Sequence, residues 1–263
     1  MSKKYFVTFA NKNYMSTDRI MEQAKEFNVF DGFYRLNELD IKNFITKHEN
    51  FINSNPVGFG LWIWKPKIIY DTLLEINDND LMVYCDAGFY LNIKGKKRLE
   101  EYFSKLQNDK CILTFSTSKS YRTREFVKVD AIMNYYPEMI NKLDISNYAG
   151  LMIIKKNDYS LQVIKEWLDL CENYNFINRS RSIKYKELPC FQGNDCDNGL
   201  FNMCISKHEN IVEKIFPDET NLYIDEKQIV HCTNYKEIKN DVDWSSLENF
   251  PFQCRRMTPK FGY

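Results

Sequence analysis

"DLMVYCDAGFYLN", residues 80–92, is the stretch that decides the fold. Leu81, Met82, Val83, Tyr84 and Cys85 run without alternation into a carboxylate, Asp86, and then into Ala87 and Gly88. An unbroken apolar run of this length reads as a strand buried on both faces, the kind that parallel sheets contain. Burying an unpaired carboxylate is expensive, so Asp86 is expected at an open strand end, facing a partner. In an open α/β sheet, ligands gather at the carboxyl ends of the strands. Ala87 and Gly88 lack the bulk to keep a ligand from the backbone there. An aspartate that merely closes a turn after a core strand is the plainer alternative, and this segment alone leaves both open.

Working outward, "KKYFVTFA" (3–10) and "VFDGFYRL" (29–36) read as strands, with a helix over 18–27 capped from Ser16, Thr17 and Asp18 between them. A helix around 39–52 leads to a second one that begins near Pro66 and carries Ile69, Leu73 and Ile76 at helical spacing. After the quoted strand, Leu99, Tyr102, Phe103 and Leu106 form one helical stripe. "KCILTFS" and "YAGLMIIKK" are strands, separated by a polar loop and a helix through Ile132. The segment 160–174 is amphipathic through Ile164, Trp167, Leu168 and Cys171, a short helix starts near Asp197, and "KQIVHCTNY" gives a late strand ending at His231. Strands alternate with helices throughout. The class is therefore α/β, with a mostly parallel central sheet flanked by helices, in a single domain that no low-complexity linker divides.

Bulk composition excludes several classes of function. The chain has 263 residues, of which 44% are apolar and 15% aromatic, which places it with globular proteins. Lys plus Arg and Asp plus Glu stand at 36 each, so no global field recruits nucleic acid. The eight cysteines contain no CxxC pair, and no sustained apolar stretch precedes Asn11. Reduced thiols in a cytoplasmic protein are expected. No run approaches the ~18 apolar residues of a transmembrane segment.

Four further segments could carry chemistry. "GFGLWIWKP" (58–66) sets Trp62, Trp64 and Lys65 before a helix N-terminus, where anions are favoured and Lys65 would add charge beside phosphates; packing tryptophans and a solvated lysine are the bland reading. "FQGNDCDNGLF" (191–201) concentrates Asp195, Asp197 and Asn198, either as helix caps or as groups that position sugar hydroxyls. His231 closes a strand, and an Asp and a His at separate strand ends can share one divalent cation, although a lone histidine is more often structural. The loop holding Lys119, Arg122, Arg124 and Lys128 is either anion-facing or solvated.

Together these segments resemble the nucleotide-sugar-dependent glycosyltransferases of the GT-A fold. More narrowly, "GLWIWKP" (60–66) followed by "YCDAG" (84–88) is similar to a group of bacterial and large-virus glycosyltransferases with a WxWKP…YxDAG pattern. "NYAGLMIIKK", "DNGLFN" and "VHCTNYK" are distantly similar to segments of glycosyltransferase family 8, although the last lacks the family's glycine. The resemblance implies a nucleotide-sugar-binding half over 1–92, an acceptor-side half over 93–235 and a tail over 236–263. It implies a nucleotide-sugar donor, with UDP the expected nucleotide, and a glycan or glycolipid acceptor. Phe9, Ala10 and Asn11 would seat the base and ribose, and Trp64, Lys65, Asp86, Ala87, Gly88 and Lys236 would complete the donor site. Asp86 and His231 would hold Mn²⁺ or Mg²⁺. The family's Asp-x-Asp is reduced here to Asp86-Ala87-Gly88, which puts the metal in question. Asp197 and Asn198 would face the sugar in a retaining transfer, whereas Asp195 or Asp197 acting as general base would invert it. A catalytically silent glycan-binding or scaffold relative is the competing expectation. The basic, aromatic tail is compatible with peripheral membrane contact and equally with folding over the donor.

Overall fold

A computed structural model describes residues 2–11, 16–107, 109–116, 122–141, 146–215, 219–224, 230–232 and 250–254. Its centre is a six-stranded sheet built from β1 (Lys4–Phe9), β2 (Gly32–Leu36), β3 (Leu81–Cys85), β5 (Ile112–Ser116), β6 (Asn147–Lys155) and β7 (Val212–Ile215). A two-residue strand, β4 (Tyr90–Leu91), follows β3 in sequence but lies outside this sheet. The spatial order is β2-β1-β3-β6-β5-β7. β1 runs parallel to both β2 and β3, and β5 runs parallel to β7. β6 alone is antiparallel to its neighbours β3 and β5. The expected mixed α/β class with a mostly parallel sheet is what the chain forms.

The quoted strand explains this architecture. All five residues of β3 are buried, so its two faces need separate covers. Met82 and Tyr84 join a core with Val7, Phe9, Met152 and Trp167, while Leu81, Val83 and Cys85 join a second core with Phe6, Phe115 and Leu151. The period-two alternation of side chains divides the apolar run between the two layers. One layer is covered by the helices Trp64–Glu75, Asp158–Glu172 and Cys196–Lys207; the other by Ser16–Glu26 and Lys96–Lys105.

Two elements differ from the sequence reading. The helix expected over 39–52 is broken into Lys42–Lys47 and Glu49–Ser54, with His48 as the junction. The late strand is β9 (Val230–Cys232), which pairs antiparallel with β8 (Leu222–Ile224) in a separate two-stranded ladder and not in the main sheet. β7 had no signal in the sequence reading, and β10 (Phe252–Gln253) pairs with β4, giving residues 250–254 a fixed place. Seven of the eight cysteines have described side chains; all seven are free thiols, and five of them are buried.

The order β2-β1-β3 makes β1 a topological switch point, because successive connections leave it in opposite directions. A crevice is therefore expected outside the carboxyl ends of β1 and β3, at Phe9 and Asp86. The helix Cys196–Lys207 is tied to β6 by one buried amide. Asn202 Oδ1 accepts from the Asn147 backbone N–H at 2.6 Å and from Asn147 Nδ2 at 3.0 Å. Asn202 Nδ2 donates to the carbonyls of Asn147 at 2.9 Å and Asn198 at 2.8 Å. Asn202→Ala leaves the buried Asn147 N–H without this acceptor and is expected to destabilise the fold by about 3 kcal/mol in urea titration.

Candidate functional site

The crevice is a cleft of about 390 Å³ lined by Phe9, Ala10 and Asn11 from the end of β1, Pro56, Gly58, Phe59, Trp62 and Trp64, and Asp86, Ala87 and Gly88 from the end of β3. Trp64 stacks on Phe9 with ring centroids 4.0 Å apart and planes at 24°, and its indole Nε1 donates to the Gly58 carbonyl at 2.9 Å. These contacts make a rigid aromatic wall.

The segment between that wall and the preceding helix is a left-handed turn. Gly58, Phe59, Gly60, Leu61 and Trp62 have φ of +62°, +54°, +86°, +55° and +60°. The Leu61 and Trp62 N–H groups donate to the Val57 and Gly58 carbonyls at 2.8 and 3.1 Å, the i→i−4 pattern of a helical turn with inverted hand. Each L-residue there costs roughly 1–2 kcal/mol. A Cβ on Gly58 would lie 2.4 Å from Trp62 Cδ2, so the glycine is needed for close approach as well as for its φ. The turn ends with Ile63 fully buried, and the right-handed helix Trp64–Glu75 begins.

Asp86 is the floor of the cleft. Period two puts Tyr84 on the same strand face, and its hydroxyl donates to Asp86 Oδ1 at 2.5 Å. The Asp86 N–H donates to the Gly150 carbonyl of β6 at 2.8 Å. A Cβ on Gly150 would stand 2.7 Å from Asp86 Oδ2, so this glycine makes room for the carboxylate. Arg19, from the helix Ser16–Glu26, donates to the carbonyls of Ala87 at 3.0 Å and Phe89 at 2.8 Å and lies over the Tyr90 ring. The loop after β3 is thereby clamped from outside the cleft.

Behind the floor lies a buried ion triad. Lys65 Nζ sits 3.5 Å from Asp86 Oδ1 and 3.1 Å from Asp197 Oδ2, and all three side chains are under a tenth exposed. Burial pushes the Asp197 carboxyl up to about 7; Lys65 opposes that shift, while Asp195 and Asp86 add to it. The Asp197 carbonyl is held by Trp167 Nε1 at 2.9 Å. Cys196, just before it, has φ +50°, a strained start to the helix Cys196–Lys207. Asn198 Oδ1 accepts from the Ala149 N–H at 2.8 Å, and its amide donates to Asp195 Oδ2 at 2.6 Å.

No family model matches the chain. One curated protein, the Type II methyltransferase M.AccI of Acinetobacter calcoaceticus, is 20% identical over 192 residues, covering 70% of this chain. The chain spans 35% of that relative's length. Among solved structures, a glycosyltransferase involved in the glycosylation of the major capsid of PBCV-1 aligns with a TM-score of 0.48 and 12% identity, over 83% of this chain and 84% of that one. Mouse xyloside xylosyltransferase 1 aligns at 0.43 and 9%, over 81% and 85%. Mannose-6-phosphate isomerase from Helicobacter pylori aligns at 0.34 and 9%, over 65% and 76%. The named chemistries are unlike one another, and at these scores none is assigned to this chain.

The structure thus brings Phe9, Ala10, Asn11, Trp64, Asp86, Ala87 and Gly88 to one cleft, although they come from three separate segments of the sequence. Lys65 lies behind that cleft and not at its surface. Asp195, Asp197 and Asn198 cluster at the start of their helix, joined to the cleft floor through Lys65. His231 is in β9, and its side chain is not among those described. Lys119, Lys236 and residues 255–263 lie outside the described residues. Sequence reasoning missed Pro56 and Phe59 as cleft walls, and Tyr84, Gly150 and Arg19 as supports for Asp86. Tyr84 was recoverable from its i−2 spacing; Arg19 had no local signal.

As a metal centre the described residues fall short. No three of His, Cys, Asp and Glu among them group closely enough to hold an ion, and Asp86 Oδ1 already takes a hydrogen bond from Tyr84.

Two outcomes follow from this geometry. Gly58→Ala is expected to cost about 1–3 kcal/mol in chemical denaturation and to displace Trp62, seen as a change in tryptophan emission. For Asp197, the folded carboxyl titrates near 7 and the unfolded one near its ordinary 3.8, so across that interval the folded chain holds the extra proton. This contribution to stability is present at low pH and is lost as pH rises towards 7. The slope should flatten in Asp197→Asn, as read from urea midpoints across that interval.

Proposed function

We propose that the chain is a glycosyltransferase that moves a sugar from a nucleotide diphosphate sugar, with UDP as the nucleotide, to a hydroxyl of a glycan or glycolipid acceptor. The observation that carries this reading is the convergence of three sequence-distant groups, Asp86, Lys65 and Asp197, behind a cleft walled by stacked aromatics. A cleft of about 390 Å³ suits a nucleotide-sized ligand. Phe9, Phe59, Trp62 and Trp64 offer flat apolar surface to a base, and the backbone of Ala10 and Asn11 offers polar groups to its edge or to the ribose. Asp86, fixed by Tyr84 and the Gly150 carbonyl, presents a carboxylate to ribose hydroxyls without needing to reorganise.

The slow step breaks the anomeric carbon–oxygen bond and leaves negative charge on the departing diphosphate. Lys65 would supply positive charge behind that position, reduced by Asp86 and by the ionised fraction of Asp197 that it pairs with. Asp197 is paired with Lys65 and does not line the cleft, so it is placed to balance charge rather than to deprotonate an acceptor. Retention is kept as the proposed outcome, with Asp195 the remaining base through which inversion would run. A divalent ion on Asp86 and His231 would further neutralise the diphosphate; because the described ligand set is incomplete, no step depends on it.

The test is release of free nucleotide from UDP-, GDP- and dTDP-sugars, with Mn²⁺ or with chelator, alongside NMR of any glycosidic product. UDP release is expected, and Asp86→Asn should lower kcat/KM by about a hundredfold or more. Lys65→Met should lower kcat more than it raises KM, since its charge matters most as the leaving group departs. Silence with every donor, and no thermal stabilisation by UDP, would overturn the proposal; glycan binding in that same silent protein would favour a binding role. A product of inverted configuration would overturn only the retaining assignment.

A further inference from the structure

Residues 179–193, between the short helix Tyr174–Ile177 and the helix Cys196–Lys207, have no regular secondary structure yet are firmly built. Their two ends are fastened together by Asn194, whose Nδ2 donates to the carbonyls of Phe176 and Asn178, each at 2.7 Å. Such a loop, compact and closed at its base, is of the Ω type, and loops of this length are often functional. Lys128 Nζ reaches in from beside it to the Asn175 carbonyl at 2.5 Å, Asn178 Oδ1 at 3.1 Å and Ser180 Oγ at 3.4 Å. Glu187 accepts from the Ser182 N–H at 2.6 Å and the Val129 N–H at 3.1 Å.

What this scaffold displays is unusual for a solvated loop. Ile183 is 97% exposed, the highest exposure among the large apolar side chains of the described residues. Arg179, Arg181, Lys184 and Lys186 flank it, all exposed. Glu187 is the one acid between 179 and 193, and both its oxygens are committed to backbone N–H groups. Lys184 Nζ lies 4.9 Å from the centre of the Tyr185 ring, Asp130 on the adjacent helix Val129–Tyr135 exerts a weaker attraction on it, and Arg179 leans towards the Cys196 thiol. The chain as a whole is neutral, so this cationic tip is a local arrangement and not a reflection of net charge.

We propose that the Ω loop 179–193 docks on an anionic lipid surface, with Ile183 entering the interface and Arg181, Lys184 and Lys186 meeting the headgroups. Charge complementarity selects an anionic partner, and the exposed isoleucine among the cations selects a bilayer over a soluble polyanion, which has no apolar layer to receive it. Loop rigidity matters because a preordered tip loses little freedom on docking. The loop ends at the residues that open the helix carrying Asp197, so docking brings that end of the molecule to the lipid surface. The inference does not rest on the reading of the cleft.

The test is co-sedimentation of the full chain with phosphatidylcholine vesicles, alone or with phosphatidylserine at about one lipid in three. Binding is expected with phosphatidylserine only, weakening as salt rises. Ile183→Ser should weaken it about tenfold. Arg181→Ser/Lys184→Ser/Lys186→Ser should remove its salt dependence and most of its strength, at about fivefold per cation. Thermal melting should be unchanged in both variants, since these side chains are exposed. Equal binding to both vesicle types, no binding at all, or binding that survives both variants would each overturn the proposal. So would a soluble polyanion that competes fully and binds wild type and Ile183→Ser alike.

Discussion

One ammonium group organises the interior of this molecule. Lys65 is 4% exposed, and an ammonium so buried is tolerable only with anions beside it. Asp86 and Asp197 supply them, the first from the end of a core strand and the second from the first turn of a helix more than a hundred residues later. At an effective dielectric of ~20, each contact near 4 Å is worth about 4 kcal/mol before desolvation is subtracted. The net stabilisation is small or negative. Removing Lys65, however, leaves two carboxyl groups in the interior without their cation. The triad therefore does less to stabilise the fold than to fix which three segments must meet, and it fixes them at the switch point of the sheet.

The polar environment around the triad follows from that constraint. Two acids and one lysine leave one formal negative charge, and burial answers by holding the Asp197 carboxyl near neutrality. Backbone groups and small residues take up the rest. Gly150 leaves space beside Asp86, Tyr84 donates to it, and Asn198 and Asn202 hold the start of the helix Cys196–Lys207 against β6. A carboxylate fixed by so many neighbours can meet a ligand without first being reoriented.

The sequence was informative where chemistry is local. The apolar run ending at Asp86 foretold a fully buried strand with an open end, because burial on both faces needs an unbroken run. The alternation of strand and helix patterns foretold the class of sheet. It was silent on β7, whose burial alternates only weakly, and on the placement of His231, because a strand's apolar pattern does not say which sheet it joins. Lys65 was legible as a charge beside a cleft but not as a buried one. A lysine before a helix looks the same in sequence whether water or two carboxylates surround it. Arg19 was invisible for a related reason, since what it clamps lies some seventy residues away.

The left-handed turn shows how position and strain are joined. Phe59, Leu61 and Trp62 each sit where an L-residue costs roughly 1–2 kcal/mol, and nothing in their own hydrogen bonds exceeds what a right-handed turn would provide. Compensation comes from burial: Leu61 and Ile63 are fully or nearly fully enclosed, and Trp64 is stacked on Phe9. A right-handed turn of the same residues would rotate their side chains differently about the axis and could not keep Leu61 in the core while holding Phe59 and Trp62 at the cleft. The inverted hand is thus the price of serving two surfaces with five consecutive residues. It also places the strain at the rim of the cleft, where a ligand that packs against Phe59 and Trp62 would stabilise the conformation it needs.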